Sequence, residues 1–153
     1  MCKSYTHNSQ LTTHIHTHNS QLTTHTMSFT ESTMLPLGSE APPFALPDTI
    51  FGNTIRLQDI ASDKATVVMF ICNHCPYVLH VNEELVRLAN DYIARGIAFV
   101  AISSNDVVNY PQDGPGKMKE HAVKVKYPFP YLYDESQNVA KAFDAACTPD
   151  FYI

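Results

Sequence analysis

The run from Ala65 to Cys72 is almost unbrokenly apolar and rich in β-branched residues. Its length and composition predict a strand buried on both faces, as in a parallel sheet. The periodicity then changes. Val78, Val81, Leu85, Leu88, Ala89 and Tyr92 recur at spacings of three and four, with Glu83, Glu84, Arg87, Asn90 and Asp91 between them. That is one face of an amphipathic helix. Gly96, just after Arg95, predicts its stop. Ile97 to Ser103 is a second apolar strand, which completes a βαβ unit.

On either side the pattern is weaker. Leu35 to Pro47 is rich in proline and small residues and reads as an extended lead-in. Gly52-Asn53, between Ile50-Phe51 and Thr54-Ile55, predicts a hairpin turn. Asn109 to Gly116 is a loop by composition, and Lys117 to Lys126 a short basic helix. Phe129 to Tyr133 predicts a third strand, placed at a sheet edge by Pro130. Ser136 is positioned to cap a helix from Gln137 to about Ala145. Phe151-Tyr152-Ile153 opens a fourth strand.

The first 26 residues do not share this patterning. Thr6 to His14 recurs unchanged as Thr17 to His25, a period of 11, and five of the eight histidines lie there. A polar, nearly uncharged repeat with so few apolar residues cannot form a core. We expect residues 1–26 to be a disordered extension and residues 27–153 to be one domain, with Met27 as the working start. Cys2, in that extension, is expected to have no role in a site.

Charge narrows the function classes. A net charge of −5 argues against a nucleic-acid groove. No apolar run has the length of a membrane span, and the N-terminus has no apolar signal core. The expectations are therefore no nucleic acid, no membrane and a cytoplasmic location. Four cysteines in 153 residues do not make a disulfide scaffold.

The chemistry concentrates at Cys72-Asn73-His74-Cys75, where the first strand ends and the helix begins. Open α/β sheets place their sites at this junction. Two thiols so spaced can pass between dithiol and disulfide. Helix amide groups, together with His74, favour a thiolate on Cys72, and the thiolate is the nucleophile of disulfide exchange. Cys75, one turn on and buried against Tyr77 or Val78, is then the resolving thiol. Pro76 fits the first helical turn. The competing reading is a zinc or copper site, with Cys72 and Cys75 joined by His80 or His121 and with Cys147 as a fourth ligand. Otherwise His80 and His121 are expected to face solvent. Cys147 is also a candidate third thiol able to pair with Cys72 or Cys75.

Several segments resemble a known family. Phe70 to Val78, Ile102 to Asp106, Asn109-Tyr110-Pro111 and Cys147-Thr148-Pro149-Asp150 occur in the order found in thioredoxin-like redoxins. The group is that of alkyl hydroperoxide reductase and thiol-specific antioxidant, in a C-N-H-C-P branch. Gly38 to Asp48 resembles the lead-in segment of the same group. The resemblance implies an α/β, thioredoxin-like fold: a central mixed sheet flanked by helices, here lacking the family's C-terminal strand and helix. It implies attack by Cys72, resolution by Cys75, and a cis Pro149 that faces the pair and holds an extended substrate. It also implies that His74 lowers the pKa of Cys72.

Two departures matter. Aligned on Cys75, the proline and threonine of the peroxiredoxin P-x-x-x-T-x-x-C pattern become Val68 and Cys72. Ile71 replaces the tryptophan that precedes a thioredoxin pair. The expected function is thus a thiol–disulfide oxidoreductase with an antioxidant role, needing no cofactor and no metal. Its partners would be a disulfide-bearing protein or small thiol, and an external thiol reductant. A metal-binding module and a peroxiredoxin-like peroxidase are the alternatives.

Overall fold

The computed structural model describes residues 31–33 and 35–153. The repeat segment and its expected disorder, with Cys2 and Met27, lie outside the described residues.

Ala65–Cys72 does supply the central strand, trimmed to β3 (Thr66–Phe70). It pairs in parallel with β4 (Ala98–Ser103), which pairs in parallel with β5 (Tyr131–Tyr133). On its other side β3 pairs antiparallel with β6 (Asp150–Tyr152). The order β5-β4-β3-β6 gives a mixed four-stranded sheet with β5 at one edge, as Pro130 predicted. A separate hairpin joins β1 (Ala45–Pro47) to β2 (Thr54–Arg56). The short α1 (Leu57–Ile60) follows it. The longer helices are α2 (Pro76–Ile93) and α3 (Pro115–Val125), and a single turn, α4 (Asn138–Ala142), precedes β6.

Side chains alternate across the sheet with period two. Met69, Ile71, Phe99 and Ala101 join Val78, Leu85 and Ala89 of α2, and Met118 and Ala122 of α3, in one buried cluster. Val68, Phe70, Val100 and Ile102 join Phe44, Leu46, Ala140 and Phe143 on the other face. Both faces are covered, which is why these strands read as continuous apolar runs. This is the α/β arrangement implied by the resemblance, a mixed sheet flanked by helices.

Some local expectations are corrected. Gly52-Asn53 is not a two-residue turn, because the paired strands begin farther out and the connection runs from Asp48 to Asn53. Asp48, 2% exposed, organises it by accepting hydrogen bonds from the amides of Ile50 and Phe51. Its carboxylate also accepts from Tyr131 N–H and so ties the hairpin to β5. The predicted loop Asn109–Gly116 contains a 3-10 turn, Pro111–Asp113. Ser136 is not the N-cap of α4, since Gln137 takes that place at φ 61. The first amides are met instead by Ser136 Oγ (Asn138 N–H, 3.2 Å) and Asp134 (Ala140 N–H, 3.0 Å). Asp144, at φ 52, ends the helix before Ala145.

The apolar face of α2 is also shifted. Asn82 is buried, while Leu88 and Tyr92 are 38% and 40% exposed. Leu88 and Tyr92 border an open apolar groove of about 570 Å³ with Val67, Ile97, Phe151 and Ile153. Asn82 is satisfied by α3 and the segment after it: Tyr127 OH donates to Oδ1 at 2.7 Å, and Nδ2 lies 3.3 Å from His121 Nε2. His121 is therefore half-buried rather than solvent-facing, and burial pulls its pKa down. His80 is exposed.

Candidate redox site

The chain leaves β3 at Phe70 and reaches α2 at Pro76, and the connecting residues carry the two thiols. Cys75 is the N-cap residue of α2 and Pro76 its first helical residue. Proline costs little there because the first amides of a helix have no intrahelical partner. The pair faces Thr148-Pro149, whose peptide bond is cis.

Thr148 addresses both sulfurs. Its hydroxyl lies 3.3 Å from Cys72 Sγ, and its carbonyl accepts from Cys75 Sγ at 3.1 Å. The two contacts are chemically unequal. A hydroxyl can donate to a thiolate on Cys72, whereas a carbonyl engages Cys75 only while it holds its proton. Cys75 also packs against the buried apolar cluster that includes Val78.

The environment of Cys72 departs from expectation. It is 2% exposed, and burial pushes its thiol above the ordinary cysteine range. The hydroxyl of Thr148 works against that shift, as does a hydrogen bond from the Cys75 amide, and the Asp113 carboxylate adds to it. The His74 ring is engaged by Asp113, with Nδ1 lying 2.5 Å from Oδ2. Thr148→Val should therefore move the pH profile of Cys72 alkylation upward, since it removes the donor to the thiolate. Thr148→Ser should restore the profile. An unchanged profile in Thr148→Val would remove the hydroxyl from the argument.

Asp113 was not legible from sequence. In a Gly- and Pro-rich stretch a lone aspartate reads as a turn residue. In the structure it is fully buried. It accepts from Asn73 N–H at 2.8 Å, from Asn105 Nδ2 at 2.8 Å, and pairs with His74. Both middle residues of the Cys72–Cys75 linker are thereby fixed to the Pro111–Asp113 turn. Asn73 also donates to Gln112 O and accepts from Tyr131 OH. Tyr110 stacks on the His74 ring, with centroids 4.5 Å apart.

The other candidates fall elsewhere. No disulfide joins Cys72, Cys75 and Cys147. Cys147 is half-buried and lines a small cavity with Phe70, Ile102, Ser104 and Ala140. Among the described residues, the group whose ligand atoms converge is Cys72, His74 and Asp113; it includes neither His80 nor His121. No described helix is long and apolar enough to cross a membrane.

Comparison with known proteins finds relatives in sequence and in fold. An uncharacterized conserved protein from Geobacillus kaustophilus is 66% identical, with a TM-score of 0.80 over 80% of this chain. A hypothetical protein from Sinorhizobium meliloti is 43% identical, with a TM-score of 0.76 over 79% of this chain. The chain spans 65% and 66% of the lengths of these two relatives. The thioredoxin domain of a thiol-disulfide oxidoreductase from Bacteroides vulgatus is only 18% identical. Its TM-score of 0.62, over 77% of this chain and 80% of that one, shows the shared thioredoxin-like fold. No curated protein matches. The AhpC/TSA family model matches residues 37–153, which hold the sheet, its helices and the paired thiols. By that match the chain belongs to the AhpC/TSA family.

Proposed function

We propose that this chain is a thiol–disulfide oxidoreductase with an antioxidant role, cycling Cys72 and Cys75 between dithiol and disulfide. The observation that carries this reading is the unequal pair of contacts from Thr148. The hydroxyl can donate to Cys72 Sγ, whereas the carbonyl only accepts from Cys75 Sγ. Cys72 thiolate attacks a substrate disulfide RSSR, a mixed disulfide forms, and one RS⁻ leaves. Cys75 gives up its proton and attacks Cys72 Sγ, which expels the second thiol and closes the Cys72–Cys75 bond. Two electrons pass to the substrate. An external thiol of the cytoplasm returns them and resets the pair.

Asp113 positions the linker, His74 covers it, and Pro149 borders the place where an extended disulfide-bearing partner would lie. A conventional peroxidase site is less favoured, because Val68 and Cys72 stand where peroxiredoxins carry proline and threonine.

Equilibration in a series of glutathione redox buffers, with cysteine pairs mapped by mass spectrometry, tests the reading. The expected result is a reversible Cys72–Cys75 bond with one defined midpoint. A folded protein that never forms this bond would end the redox reading.

A further inference from the structure

Asp113 has a role in the linker, yet its placement exceeds what bracing requires. The Sγ of Cys72, a ring nitrogen of His74 and a carboxylate oxygen of Asp113 all lie within 4.8 Å of one another. Tetrahedral zinc, with bonds of about 2.0–2.3 Å to sulfur, nitrogen and oxygen, sets its ligand atoms roughly 3.3–3.7 Å apart. Side-chain adjustments on the order of an ångström would bring this set to that spacing, and thiolate, imidazole and carboxylate are all zinc ligands.

The surroundings are those of a supported site. Asp113 is held by the Asn73 amide and by Asn105, and Tyr110 is stacked on His74. Such outer contacts orient ligands and raise affinity. Cys72 and Asp113 are buried, while the His74 side chain is 30% exposed, so the ring forms the outer wall of the site and its way in.

We infer that the reduced protein binds one zinc ion through Cys72, His74 and Asp113, with water in the fourth position, and that closing the Cys72–Cys75 disulfide releases it. Binding expels the Cys72 thiol proton. The ion also replaces the proton held between His74 Nδ1 and Asp113 Oδ2, which moves to Nε2 or to solvent. Release follows the redox step: RSSR takes two electrons from the Cys72 thiolate and the Cys75 thiol, leaving 2 RSH, one proton coming from Cys75 and one from solvent, and a disulfide that offers no thiolate. The same cysteine then serves either metal or disulfide chemistry, according to the redox state.

The test uses the full-length, reduced, metal-free chain titrated with Co²⁺, which reports thiolate ligation by charge-transfer absorption. Histidines of the N-terminal repeat give no such band. The expected result is a band saturating at one equivalent, displaced by Zn²⁺, absent in Cys72→Ser and absent after oxidation with glutathione disulfide. His74→Gln and Asp113→Asn should each weaken binding by about tenfold or more. No band in the reduced wild type overturns the inference, as does a band that His74→Gln leaves unchanged. His74→Gln alters a ring at the surface, so it decides the matter even if Asp113→Asn does not fold. Failure here leaves disulfide cycling untouched, because the glutathione titration reads that reaction without metal.

Discussion

Cys72→Ser is expected to reduce turnover of disulfide substrates to background, and Cys75→Ser to arrest the protein as a mixed disulfide. The asymmetry follows from Thr148. With serine at 72, the remaining thiol at 75 meets a carbonyl, which accepts a hydrogen bond and has none to donate to an attacking sulfur. With serine at 75, Cys72 keeps the hydroxyl donor and can still attack, but nothing remains to expel the bound product. Mass spectrometry after exposure to a small disulfide reads the outcome directly. Cys75→Ser should gain one substrate thiol in a dithiothreitol-sensitive adduct, and Cys72→Ser should gain none at position 75. An adduct only in Cys72→Ser would reverse the roles of the two thiols. Full activity in both variants would place the chemistry elsewhere.

Phe143→Ala should cost about 3–5 kcal/mol of stability, the range for removing a buried aromatic side chain. Phe143 is 1% exposed and sits among three other rings. Its centroid lies 5.4 Å from Phe70 on β3, 5.2 Å from Tyr152 on β6 and 6.5 Å from Phe44 beside the hairpin. It joins the central strand, the edge strand and the lead-in segment on one face of the sheet. Urea unfolding should show a lower midpoint with an unchanged slope, as expected for lost stability without a change in the surface exposed. A loss below about 1 kcal/mol would mean that the neighbouring rings close over the cavity.

Different layers of the molecule were legible to different degrees. The central strands and α2 could be read because each announces itself by local periodicity. A run buried on both faces has no polar gap, and a helix repeats its apolar face every three to four residues. The thiol pair could be read for the same reason, as its members are neighbours in sequence at a strand–helix junction. The edges of elements were less legible. Asp48 and Asp134 satisfy amides that local sequence would have left to a tight turn or to Ser136, and those partners depend on how distant segments pack.

Sequence by itself determined the fold class, the family and the candidate thiol pair. Only the tertiary structure decided what surrounds them. Asp113 comes to Asn73 and His74 from 40 and 39 residues away, and Thr148 reaches Cys72 across 76. His74, which local spacing places beside Cys72, is also engaged by a buried carboxylate. Burial then sets the direction in which the Cys72 thiol is shifted. Electrostatics and desolvation act through space, over a few ångströms, and a linear pattern records neighbours along the chain only.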